Sequence, residues 1–163
     1  MFFIRSASEE DLPEVGRLLT ETWHATYDAI HGAEKVDEIT QAWHSVGALK
    51  ANLHRPASEF IVADDGRRIA GTAYASVTAR NTVTLHQLYV HPALQRQGIG
   101  LDLFAEMETC FDGASLMRLE VDPKNAAAVA FYRRIGFVET GDAGRDAAPG
   151  STIETIVMEK SLI

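Results

Sequence analysis

Apolar residues recur along this chain in two rhythms, and each change of rhythm marks a new element. Leu12, Val15, Leu18, Leu19 and Trp23 return at the spacing of an amphipathic helix. Ser8 stands ahead of them as a cap. Glu9, Glu10 and Asp11 fill the first turn, where the helix dipole favours negative charge. A less regular helical stretch covers 34–53 and ends before Pro56. Strand patterns follow at 60–63 and 69–77, joined by the turn Asp64-Asp65-Gly66-Arg67, and a turn at Asn81 leads into a strand over 82–90. Leu101, Phe104, Ala105 and Met107 carry a helix. In 116–121, Met117, Leu119 and Val121 alternate with Arg118 and Glu120, and the helix over 125–135 is stopped by Gly136. Phe2 to Arg5 reads as a first strand, Phe137-Val138 opens a late one, 142–151 is a glycine-rich loop, and 153–158 closes the chain. The order β-α-α-β-β-β-α-β-α-β-β, with no repeat or linker, predicts one domain over 1–163, an α/β fold with a mixed sheet and helices on both faces.

One strand breaks its own alternation. Val83 and Leu85 keep a period of two, and Leu88 and Val90 keep it again in the opposite phase, so the slip falls at His86-Gln87. One inserted residue, a β-bulge, would return the later side chains to the core; simple burial of both Leu88 and Tyr89 is the alternative. A bulge leaves backbone N–H and C=O groups unpaired, which an extended ligand can use. The strand runs into Gln95-Arg96-Gln97-Gly98-Ile99-Gly100 and then a helix. Glycines allow close backbone approach, the first helical N–H groups have no internal partner, the helix dipole adds to them, and Arg96 can supply charge-assisted bonds. The turn suits a phosphate, although two glycines serve a tight structural turn equally well. A dinucleotide fingerprint is absent, because Leu103 stands where its third glycine belongs, and no Gly-Lys-Ser/Thr forms a Walker loop. Further on, Asn125 and Tyr132 lie two turns apart on one helix face among small alanines. Capping by Asn125 and packing by Tyr132 would each account for them alone.

Composition narrows the choices. A net charge of −8, with no Lys/Arg run longer than two, argues against a nucleic-acid partner. Cys110 is the single cysteine, so no intrachain disulfide forms; six scattered histidines without an HExxH pattern give no metal site. The start Met1-Phe2-Phe3-Ile4-Arg5 does not read as a signal peptide, and no stretch has membrane-spanning length, so a cytoplasmic protein without a membrane partner is expected.

Taken in order, these pieces resemble the GCN5-related N-acetyltransferase (GNAT) family over essentially the whole chain. The centre of the resemblance is Leu88-Tyr89-Val90-His91-Pro92 with Gln95 to Gly100, similar to the family's strand, Q/R-x-x-G-x-G/A turn and helix. Leu119-Glu120-Val121, Asn125 and Ala130-Phe131-Tyr132-Arg133-Arg134-Ile135-Gly136-Phe137 resemble its N-x-x-A-x-x-F-Y-x-x-x-G-F block, and Trp23-His24-Ala25-Thr26-Tyr27 its Trp-x-x-Thr-Tyr pattern. The resemblance implies a mostly antiparallel sheet splayed at the bulged strand, with acetyl-CoA as co-substrate and no metal. Backbone groups of Leu88 and Val90 would hydrogen-bond the pantetheine arm, and Tyr89 between them would belong to the same cofactor site. Gln95, Arg96, Gln97, Gly98, Ile99, Gly100 and Leu101 would hold the pyrophosphate, and Asn125 would contact the pantetheine region. It also implies a homodimer, as is common in the family.

The implied reaction is direct attack of a small-molecule or protein primary amine on the acetyl group. An amine of the lysine type has a pKa of roughly 10.4, so the site must take a proton from it. The backbone N–H near Leu88 would steady the developing oxyanion. Tyr132 would protonate the departing thiolate. For the base, His86 has the right intrinsic chemistry; Glu120, His24, Tyr27 and a water chain stay open beside it. Cys110 reads as core, which disfavours a covalent route. The rival from another class is a non-catalytic acyl-CoA-binding regulatory module on the same fold. The acidic residues Asp28, Glu34, Asp37 and Glu38 could meet a cationic acceptor, but solvated charges on helix faces account for them equally.

Overall fold

The computed structural model describes residues 1–144 and 153–163, so most of the loop expected over 142–151 lies outside the described residues. The chain forms β1 (Phe3–Ser6), α1 (Leu12–His31), α2 (Ala33–Trp43), α3 (Val46–Leu53), β2 (Ser58–Asp64), β3 (Ile69–Ala79), β4 (Thr82–Val90), α4 (Ile99–Thr109), β5 (Leu116–Val121), α5 (Ala126–Arg134), β6 (Val138–Ala143) and β7 (Ile156–Ser161). Short 3-10 turns at Glu9–Asp11 and Pro92–Leu94 lead out of β1 and β4. Among the described residues, no helix is long and apolar enough to cross a membrane.

Seven strands make one sheet in the order β1-β2-β3-β4-β5-β7-β6. Every neighbouring pair is antiparallel except β4 and β5. The run Phe60-Ile61-Val62-Ala63 is buried without alternation because helices cover both faces. Phe60 and Val62 join Tyr74 under Leu12, Val15, Leu18 and Leu19 of α1 and Leu49 of α3. Ile61 and Ala63 turn the other way, into a core with Leu103, Phe104 and Met107 of α4 and Val129 of α5. Gly71 lets α4 lie close to the sheet: a Cβ there would come within 2.9 Å of the Tyr89 carbonyl and 3.0 Å of Leu103.

Three expectations change. The closing strand covers Ile156–Ser161 rather than 153–158. Ser8 introduces a 3-10 turn rather than the α-helix itself; its N–H donates to the Asp11 carboxylate at 2.8 Å, and Pro13 sits in the first turn of α1. The helical stretch over 34–53 is two helices. Ser45 breaks it, its Oγ accepting the Ala48 N–H at 3.2 Å to start α3.

His44, between those helices, is only 4% exposed and meets Trp23 edge-on, with ring centroids 5.7 Å apart. Burial pushes its pKa from 6.5 down to about 4. The fold therefore favours the neutral ring. Its contribution is complete above pH 6.5 and is lost as the pH falls through about 4, amounting to about 3 kcal/mol. Urea unfolding across that window should show this slope in the native protein and a reduced one in His44→Leu; an unreduced slope would contradict the assignment.

Candidate active site

The parallel ladder between β4 and β5 is short. It holds Thr82 to Leu116, Val83 to Met117 and Thr84 to Arg118, and then the strands part. The cause is visible on the other side of β4. Tyr74 pairs with Gln87 and Ala75 with Leu85, so His86 has no counterpart on β3. This extra residue bends β4. It also resolves the broken alternation, because Val83, Leu85, Leu88 and Val90 all reach the α4-side core. Beyond Thr84, the edge of β4 that faces β5 carries backbone donors and acceptors without a strand across from them. An extended chain bearing amides can occupy such an edge as an added strand.

At the end of β4 the backbone turns sharply. The His91 N–H donates to the Ala70 carbonyl at 2.8 Å, and the Gln95 side-chain amide donates back to the Val90 carbonyl at 3.2 Å. Arg96 and Gly98 then adopt left-handed conformations, with φ of 65° and 85°. Glycine takes this conformation freely; for Arg96 it carries strain of a kind that collects at ligand sites. The first bond inside α4 runs from the Asp102 N–H to the Gly98 carbonyl at 3.0 Å, so the amides before it have no acceptor within the helix. Left-handed residues leading into a helix start gather N–H groups into an anion-binding hollow. The side chains of Arg96 and Gln97 are exposed beside it, as is that of Leu101, whereas Ile99 is buried and anchors the turn. A Cβ on Gly100 would meet Val90 at 3.6 Å and Phe131 at 3.7 Å, ordinary contacts, so alanine would fit there too. The donors present fit a diphosphate at this turn and an amide-bearing arm along β4.

Across the gap, Asn125 does two things at once. Its Oδ1 accepts the Ala128 N–H at 3.3 Å and caps α5, while its Nδ2 donates to the Tyr27 hydroxyl at 3.1 Å. Tyr132 packs edge-on to Phe131 and Phe137, with centroids 5.5 and 5.6 Å apart. Burial, with Tyr27 nearby, pushes the Tyr132 phenol above its usual range. Burial likewise raises Tyr89, which feels both Tyr27 and Tyr132, and raises Tyr27, despite the Asn125 bond. Three protonated phenols from α1, β4 and α5 thus gather beside the gap, with Trp23 next to Tyr27 at a centroid distance of 4.5 Å.

The base candidates fall in different places. His86 is stacked on Tyr74 at 5.1 Å with Nε2 2.7 Å from the Ser76 hydroxyl. His86 is exposed overall, yet desolvation of its ring, with Arg55 adding its charge, lowers its pKa to about 4. Tyr74 OH, on the ring stacked with His86, and Oε1 of the neighbouring residue Gln87 are buried without a hydrogen-bond partner among the described residues. The Glu120 carboxylate accepts the Thr155 hydroxyl at 2.9 Å, in front of β7. His24 is engaged by Asp28 at 2.6 Å and Asp37 at 2.8 Å, which raise its pKa. The half-buried Cys110 ends α4, its thiol donating to the Glu106 carbonyl, and burial raises its pKa.

Sequence reasoning passed over Asp122 and His31. Asp122 is 5% exposed; its Oδ2 lies 2.7 Å from His31 Nε2, and its Oδ1 accepts the Lys124 N–H at 2.9 Å. The available signal was faint: Tyr27 and His31 are four residues apart on one face of α1, and Asp122 stands three before Asn125.

The acetyltransferase (GNAT) domain family matches residues 27–162. Over 149 residues the chain is 27% identical to the spermidine N(1)-acetyltransferase of Thermoplasma acidophilum, covering 88% of this chain and 92% of that protein. It is 33% identical over 97 residues to the N-alpha-acetyltransferase RimI of Mycobacterium tuberculosis, a match spanning 58% of this chain and 61% of that one, less than two thirds of the relative's length. The fold is similar to the crystal structure of the PaiA N-acetyltransferase from T. acidophilum in complex with coenzyme A, with a TM-score of 0.85, 26% identity and 99% of both chains covered.

Proposed function

The chain belongs to the GNAT acetyltransferase family, and from that membership we propose that it moves an acetyl group from acetyl-CoA to a primary amine by direct attack. The observation that carries this reading is the parting of β4 from β5 after Thr84, with the Arg96–Gly98 turn at its mouth. The backbone of Leu88 and Val90, which faces the open edge, bonds the pantetheine arm, with Tyr89 paired to Thr72 of β3 between them. The amides of the turn, from Arg96 through Gln97, Gly98, Ile99 and Gly100 to Leu101, hold the pyrophosphate, with Gln95 bracing the turn. Asn125 lines the arm's other side.

Tyr132 is the acid. A tyrosine is protonated at neutral pH and burial keeps this one so, leaving a proton available for the departing thiolate. His86 is the base, carried at the bulge two residues past the last β4–β5 pair. It is neutral at pH 7 and has a free basic nitrogen, while its lowered pKa makes it a weaker base than free imidazole. Glu120 is the second choice, with its carboxylate already held by Thr155. The raised thiol pKa of Cys110 supports direct attack over a cysteine-linked route. The same proposal places the enzyme in the cytoplasm and expects it to pair as a homodimer.

The test is release of free CoA from acetyl-CoA against a panel of amines. Spermidine and an N-terminal peptide should be included, since relatives act on a polyamine or carry an N-alpha activity by name. Turnover with at least one amine supports the enzyme; a stabilising thermal shift with acetyl-CoA but no turnover with any amine would favour a binding module. Tyr132→Phe should lower kcat by about a hundredfold or more while keeping the thermal shift; unchanged kcat would remove Tyr132 as the acid. The acidic limb of the pH–rate profile should fall near pH 4 and flatten in His86→Ala. A limb that persists unaltered in that variant would exclude His86.

A further inference from the structure

The parting of β4 from β5 divides the sheet into two halves, and the ladder that joins them is three residue pairs at one end. On the α4 side, one apolar core spans both halves. On the α1 side, Ile153 packs on the cluster of Trp23, Tyr27, Val36 and Ile39, and at the open end the halves are also joined by polar contacts. Tyr27 and His31 project from the last turns of α1, whose apolar face packs on β2 and β3. Asp122 and Asn125 belong to the turn between β5 and α5.

The contacts form a closed figure. His31 Nε2 meets Asp122 Oδ2 at 2.7 Å, and Asn125 Nδ2 donates to Tyr27 OH at 3.1 Å. The rings of Tyr27 and His31 stack with centroids 5.8 Å apart and planes 28° apart. Within the turn, the Asn125 N–H donates to the Asp122 carbonyl at 3.0 Å, and Asp122 Oδ1 takes the Lys124 N–H. We infer that His31 and Asp122 are positioning residues whose contact holds the open end of the gap at the width acyl-CoA requires and fixes Asn125 and the start of α5, and so Tyr132. This rests on the reading of the gap as the acyl-CoA site.

The physical reason is the burial of the pair. The Asp122 side chain is 5% exposed and that of His31 12%. A carboxylate this buried is held by its hydrogen bonds, and removing one partner leaves it underpaired, so the turn moves to find water or another donor. Such a movement carries Asn125 with it, because Asn125 is bonded to Asp122 through the backbone and caps α5 with its side chain. Displacement of about 1 Å of a positioning group can cost up to about a hundredfold in rate.

Three variants test this, assayed well below their thermal midpoints. His31→Ala should raise the KM for acetyl-CoA and lower kcat, together costing kcat/KM about tenfold or more. His31→Gln, whose side-chain amide can donate to Asp122, should recover most of that loss. Tyr27→Phe keeps the ring stacking and deletes the bond to Asn125; it should raise the KM for acetyl-CoA by a smaller factor, and it carries the test should His31→Ala fail to fold. A lowered melting temperature with KM and kcat unchanged in all three variants would overturn the inference and leave a structural pin. Acetyl-CoA thermal shift separates the two readings: a wild-type protein that is not shifted overturns the acyl-CoA site and this inference with it. A shifted wild type with equal affinity and turnover in His31→Ala overturns the positioning role alone.

Discussion

One extra residue in β4 is the constraint on which the rest of the structure depends. With His86 unmatched on β3, Leu85 and Leu88 both face the α4-side core, and β4 bends as it passes that point. A strand so bent cannot keep its parallel ladder with β5, and pairing ends at Thr84. The fold thus leaves a row of backbone groups unpaired in the middle of a sheet, where an exposed edge would ordinarily invite aggregation. A site that binds an extended amide chain turns this exposed edge to use.

The chemistry is arranged around that gap. The turn after β4 gathers N–H groups at the start of α4 because Arg96 and Gly98 are left-handed just ahead of it. The phenols of Tyr27, Tyr89 and Tyr132 converge from three elements that lie on different sides of the sheet, and burial keeps them protonated. Asn125 joins the two sides, capping one helix and bonding a tyrosine of another. Proton donors are plentiful here. The neutral imidazole of His86 lies on the α1 side, stacked on Tyr74, and two buried polar atoms, Tyr74 OH and Gln87 Oε1, lack partners among the described residues.

Much of this was legible in the chain, for reasons that can be stated. The bulge showed itself as a slip in a period-two pattern, because the core must be faced on both sides of it. The turn showed itself as two glycines between a strand and a helix. Local interactions write local patterns, and the strand limits over 82–90 and 116–121 came out as read. The split of the 34–53 helix was written in Ser45 as a cap and was hidden by the continuous helical composition around it. The Asp122–His31 pair is written only faintly, in the four-residue spacing of Tyr27 and His31 and the three-residue spacing of Asp122 and Asn125, because the two residues stand 91 apart. Nor could the dual bond of Asn125 be read, because its second partner, Tyr27, is 98 residues away. Long-range polar contacts depend on where the sheet places its ends, which single-residue periodicity does not carry.

In the proposed complex the unpaired edge of β4 receives the pantetheine arm while the following turn receives the pyrophosphate. Amide hydrogen exchange on the intact protein, with and without coenzyme A, reads those backbone groups directly. Coenzyme A should slow exchange along the second half of β4, at Leu88 and Val90 above all, and over the amides from Arg96 to Leu101. Exchange in the already paired strands β2 and β3 should change little. Binding of coenzyme A that leaves the β4 and turn amides exchanging as before would contradict the account.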